Sequence, residues 1–160
     1  MKKLFLFTCL SALALSFNSC SDDDSSSNNN GGETGGTVSF KVDGVQKTFD
    51  TVTVNLQSET EEGETWEWYE VTASDAGAST ETIYFEIEKG YSGADSFDTF
   101  TYTSNNSDFD MDWDNFSANT TSNSSSKLKG SFSGTVQQWS NENQEYTQKA
   151  ITEGTFNINL

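Results

Sequence analysis

The stretch "TVSFKVDGVQKTFDTVTVNL", residues 37–56, decides the class of fold. Val38, Phe40 and Val42 alternate with Ser39 and Lys41; further on, Val52, Val54 and Leu56 alternate with Thr51, Thr53 and Asn55. Successive side chains of a strand point to opposite faces, so a period of two predicts half-buried strands. Asp43-Gly44, set between two such runs, predicts a two-residue hairpin, because its tight turn needs residues that accept positive φ. The pattern continues outward along the chain. Tyr69, Val71 and Ala73 share one face of a strand, with Trp66, Trp68, Glu70 and Thr72 on the other. Ile83, Phe85 and Ile87 then alternate with Tyr84, Glu86 and Glu88. A short strand is expected around Phe100 and Tyr102. Another follows where Phe109, Met111 and Trp113 alternate with four aspartates, a half-buried strand with an acidic outer face. The last strands fall in 128–139 and 146–160, the second broken near Glu153-Gly154 into a hairpin. Residues 57–64 read as an acidic turn, and 115–126 as a long polar loop or ragged edge strand. About nine short strands with polar turns and no helical period predict an all-β fold. The expected architecture is a single antiparallel β-sandwich, with barrel-like closure as its variant, over residues 37–160.

Composition narrows the function. The chain has 160 residues, room for one domain. Its 13 per cent aromatic content separates it from acidic disordered chains and predicts an aromatic core. Eight lysines and no arginines face 25 acids, for a net charge of −17. Such a surface repels phosphate backbones, which excludes nucleic acid as a partner. The chain has no histidine, so a serine or cysteine nucleophile has no imidazole base. The expectation is a non-catalytic binding or structural module, not an enzyme.

The N-terminus reads as an address. Met1-Lys2-Lys3 is a basic start, and Leu4 to Phe17 is an apolar run of signal-peptide length, short of the roughly 20 residues of a membrane span. It ends in Phe17-Asn18-Ser19-Cys20, which resembles the lipobox of bacterial lipoproteins. That resemblance implies cleavage between Ser19 and Cys20, with acyl chains carried by Cys20 and outer-membrane lipid as the first partner. After cleavage no second cysteine remains for an internal disulfide. Ser21-Asp22-Asp23-Asp24 resembles the acidic export signal of Bacteroidota-type surface lipoproteins, which implies display on the cell surface. The organisation expected is a signal peptide over 1–19, lipidated cysteine, export signal and tether over 20–36, and the β domain thereafter. Ser, Asn, Asp and Gly dominate the tether, whose mean span is about 20 to 25 Å for a flexible chain of that length. The "GSFSG" at 130–134 and "GTF" at 154–156 resemble the closing strands of small lipoprotein domains of the same bacteria, a likeness that implies a β-sandwich and no activity.

Two candidate sites stand out in the domain. Asp108, Asp110, Asp112 and Asp114 have the alternate spacing of a calcium loop, yet neither register supplies the glycine and glutamate of an EF-hand. Calcium is therefore the lesser reading of a strand whose acids face outward. Trp66, Trp68 and Trp139 all oppose core-facing positions, which makes them a candidate platform for a glycan or a surface protein. For the address, radiolabelled fatty acid fed to growing cells is expected to enter the wild-type chain and not a Cys20→Ala variant.

Overall fold

The computed structural model describes residues 33–75, 77 and 80–160, so Ser19, Cys20, Ser21 and Asp22 to Asp24 lie outside the described residues. The domain is all-β, with one turn of 3-10 helix at Ala94–Ser96. Ten strands follow in chain order: β1 Glu33–Thr34, β2 Gly36–Val42, β3 Val45–Phe49, β4 Thr51–Glu61 and β5 Glu64–Ser74. Then come β6 Thr82–Glu88, β7 Phe97–Ser104, β8 Ser107–Ser124, β9 Lys127–Ser140 and β10 Glu145–Asn159. They form one antiparallel sheet in the order β1-β4-β5-β6-β7-β8-β9-β10-β2-β3. The expected sandwich thus takes its barrel-like form: a single curled sheet packs its own concave face together.

Chain connectivity forces that curl. Gly35 alone joins β1, at one end of the sheet, to β2 near the other, and Asp50 alone joins β3 to β4. A single linking residue leaves at most about 7 Å between the residues it joins, so strands at opposite ends of the strand order must lie close together. Bulges supply the bending, with register breaks in the β6–β7, β8–β9, β9–β10 and β10–β2 pairings. Asp43-Gly44 and Glu62-Gly63 turn two of the hairpins with positive φ at both residues, as the first did on sequence grounds.

The interior is a cluster of aromatic rings. Phe40 on β2 lies across the interior from β7, 6.1 Å from Phe100 and 5.9 Å from Tyr102, and stacks on Phe49 at 5.4 Å. Phe85 on β6 meets Phe156 on β10 at 5.4 Å, and Phe97 stacks on Phe85 at 5.3 Å. Each such pair adds about 0.5 to 1.5 kcal/mol to the burial of its rings. The closing motif has a physical reading here. Gly154 pairs with Phe132, and Phe156 pairs with Gly130, so each phenylalanine ring lies over the other strand's glycine. A Cβ at Gly154 would overlap the Phe132 ring, and one at Gly130 would overlap Phe156.

Three expectations change and one open alternative is decided. The strand ladder begins at Glu33, inside the segment read as tether. β4 runs to Glu61, so the acidic stretch after Leu56 is mostly hairpin arm and only Glu62-Gly63 turns. Residues 115–126, expected as a polar loop or ragged edge strand, take the second form: β8 runs through them to Ser124, laddered to β9 with two register breaks and not to β7. Glu153-Gly154 is a bulge within one continuous β10, because the paired β9 and β2 carry the strand across it.

One half-buried polar cluster ties the core to the rim. The Glu81 carboxylate accepts from Lys47 Nζ at 2.9 Å, from the Tyr102 hydroxyl at 2.8 Å and from Ser104 Oγ at 3.5 Å. Burial alone would push the Glu81 carboxyl up, but the bonds from Lys47, Tyr102 and Ser104 together hold it below the usual range. Burial, with Glu81 beside it, pushes the Tyr102 hydroxyl up to about 12. A raised folded-state value means stability is full below about pH 10 and is lost as pH rises toward 12. Tyr102→Phe is expected to flatten the fall in melting temperature between those pH values; an unchanged alkaline fall would contradict the cluster. Gly154→Ala is expected to cost about 1 to 3 kcal/mol in denaturant unfolding through overpacking against Phe132.

Candidate functional site

Trp66 and Trp68 sit two residues apart on β5, on the convex face, where the β4–β5 hairpin runs past the end of β6. The pairing Trp68↔Glu88 is the last of the β5–β6 ladder, and Trp66 lies beyond it opposite Glu59. Trp66 is exposed and Trp68 half-buried. Together they wall a cavity of about 440 Å³ completed by Glu67, Glu86, Glu88, Asp95 and Asp98. Asp95 comes from the single 3-10 turn and Asp98 from the start of β7, where the bulge opposite Glu86 and Ile87 turns it outward. The Trp68 Nε1 hydrogen is buried and has no acceptor among the described residues.

The negative field over this face is visible in its neighbours. Tyr84 donates its hydroxyl hydrogen to Glu86. Burial first, then that bond and the charges of Glu86, Glu70 and Asp98, hold the Tyr84 hydroxyl protonated well above its usual range. Glu70 accepts from Gln57 Nε2 at 2.8 Å, and Glu67 pairs with Lys89 at 2.9 Å. Glu88, Asp95 and Asp98 have no side-chain hydrogen bond or ion pair among the described residues.

A second cavity, of about 350 Å³, adjoins the first and shares Asp95 and Asp98 with it. Its far wall is Met111, Trp113 and Phe116. Trp113 departs from its expected position on the buried face and is 70 per cent exposed. The cause is local: Asp112 Oδ1 accepts from the backbone N–H of Asp114 at 3.2 Å, and its Oδ2 accepts from Asn115 Nδ2 at 2.8 Å. Such an aspartate-centred turn competes with the strand ladder. The β8–β9 register accordingly jumps from Met111↔Val136 to Phe116↔Gly134, and residues 112–115 bulge out. Gly134 accommodates the bulge, since a Cβ there would overlap Asn115.

The expected sites are thus rearranged. Trp139 stands apart from Trp66 and Trp68. The ladders link Gln137 to Asp110, Thr101, Tyr84 and Thr72, four residues below Trp68 on β5, and Trp139 lies further in that direction. It packs instead on Tyr146, 4.8 Å between ring centroids, and donates to Asn141 at 3.1 Å. The aspartates do not act as a group either. Asp108 accepts from Thr103 Oγ1 at 2.7 Å and Asp110 from Thr101 Oγ1 at 2.8 Å, while Asp112 is taken up in its own turn. Among the described residues no three His, Cys, Asp or Glu side chains are placed to hold a metal ion. Sequence reasoning missed Asp95, Asp98 and Trp113. The Asp112-Trp113-Asp114-Asn115 run, rich in turn-forming residues, was the available signal for the third.

The chain matches no family model, and comparison with curated proteins and with solved structures finds no significant similarity to any of them.

Proposed function

We propose that the protein is a lipoprotein of the bacterial cell surface, held in outer-membrane lipid through Cys20, whose β domain is a non-catalytic binding module. The observation that carries the binding role is the Trp66–Trp68 cleft: two neighbouring indoles on a convex sheet face, beside a cavity of ligand-pocket size. Monomeric proteins rarely leave large aromatics grouped on a surface without a use. Flat rings of this kind stack sugar rings or the apolar parts of other ligands. The address rests on the lipobox ending at Ser19-Cys20 and on Ser21-Asp22-Asp23-Asp24 directly after it. A lipidated cysteine with more than one acyl chain anchors stably where a single chain does not. The tether then sets the domain clear of the headgroups, and the excess of acids over lysines keeps its surface off anionic lipid. The lack of histidine and of a thiol in the domain supports binding over catalysis.

Display and binding are tested separately. Protease added to intact cells is expected to remove the wild-type domain and to spare a variant with alanine at Asp22, Asp23 and Asp24. Equal digestion of both would reduce the acidic run to tether. For binding, tryptophan emission of the full lipoprotein in detergent micelles is titrated with neutral oligosaccharides and with short peptides. A response lost in Trp66→Ala and Trp68→Ala but kept in Trp139→Ala supports the cleft, and a response that follows Trp139 contradicts it.

A further inference from the structure

Resting on the Trp66–Trp68 cleft as the binding site, we infer that it and the Trp113 cavity form one groove for a basic peptide segment. An arginine or lysine side chain sits against Asp95 and Asp98, and apolar residues on either side of it lie on the tryptophans.

Charge selects the ligand class. Three carboxylates of the groove, Glu88, Asp95 and Asp98, have no ion pair among the described residues, and Lys89, next to Glu88 in the chain, is paired with Glu67. Like charges gathered beside low-dielectric walls attract a cation and speed its arrival. The carboxylates are spread along the groove and do not converge on one point, which suits an organic cation with several N–H donors and not a metal ion. An anionic glycan would meet repulsion from the carboxylates of both cavities. A neutral glycan could stack, but it would desolvate the three carboxylates without neutralising them.

Shape selects a segment over a single small amine. The cavities of about 440 and 350 Å³ meet at Asp95 and Asp98, with Trp66 and Trp68 at one end and Met111, Trp113 and Phe116 at the other. Carboxylates run through the groove from Glu86 and Glu88 to Asp95 and Asp98, between indoles at its two ends. A peptide with a cationic side chain between apolar ones has the complementary order. The planar guanidinium fits best, because it bonds carboxylates in pairs and also stacks on indole, where a cation contributes about 0.5 to 2 kcal/mol.

The test uses the full lipoprotein in detergent micelles and a dye-labelled peptide of two arginines between leucines, read by fluorescence anisotropy. The same peptide with glutamine for arginine, spermidine and cellohexaose serve as competitors. The arginine peptide is expected to bind, to weaken several-fold as salt rises from 50 to 500 mM, and to resist displacement by the other three. Asp95→Asn with Asp98→Asn is expected to weaken it about ten-fold and Trp113→Ala about as much, with melting curves and Trp139→Ala unchanged in binding. Equal binding of the glutamine peptide, or an unaffected Asp95→Asn/Asp98→Asn protein, overturns the cationic reading. Displacement by spermidine assigns the groove to free polyamines instead. Trp66-dependent binding of cellohexaose without the peptide overturns this inference and leaves the cleft standing, whereas binding of no probe overturns both.

Discussion

Two single-residue connections govern this molecule. Gly35 and Asp50 each carry the chain between opposite ends of a ten-stranded sheet, and a sheet so joined cannot lie open. Curling brings the inward faces of β2, β6, β7 and β10 within ring-contact distance of one another. Phenylalanines fill the space because they combine large apolar area with few rotatable bonds, at about 25 cal/mol for each Å² removed from water. The reciprocal pairing of Gly130 with Phe156 and Gly154 with Phe132 relieves the crowding that follows. Stability without a disulfide is thus explained by topology and aromatic packing.

The same bending produces the site. Strands that curl need bulges, and two of the register breaks lie at the groove: one at the Glu86–Ile87 end of β6 exposes Asp98, and the excursion of residues 112–115 exposes Trp113. The long β4–β5 arm contributes Trp66 and Trp68 past the end of β6. Groups from four segments therefore meet at one end of the barrel, while the Trp139–Tyr146 pair occupies another region. Position on the strands of one sheet holds the indoles and carboxylates in fixed relation, which would lower the ordering cost for the ligand proposed above.

Much of the fold was legible because half-buried strands write their period into sequence. The faces of β5 and β6 were read correctly from Tyr69, Val71, Ala73, Ile83, Phe85 and Ile87. Where the reading failed, the reason was a local rule outweighed by a partner strand. The composition of Asn115 to Ser124 fits a loop or a ragged edge strand alike, and only the β9 ladder beside it selects the strand. Glu153-Gly154 has turn residues and becomes a bulge for the same cause. Of the site, Trp66 and Trp68 were legible from alternation alone. Trp113 was not, because alternation ends at Met111 where Asp112 closes its own turn. Asp95 and Asp98 come from a connection without period, and only the folded sheet shows that they face the tryptophans.

Trp66, Trp68 and Trp113 border one groove, and Trp139 belongs to none of it. Hydroxyl-radical footprinting of the protein, with oxidation of each tryptophan read by mass spectrometry, measures this directly. In the free protein Trp113, 70 per cent exposed, is expected to oxidise fastest. With the arginine peptide present, Trp66, Trp68 and Trp113 are expected to become protected together while Trp139 keeps its rate. Protection of Trp139, or of Trp113 without Trp66 and Trp68, would contradict the account.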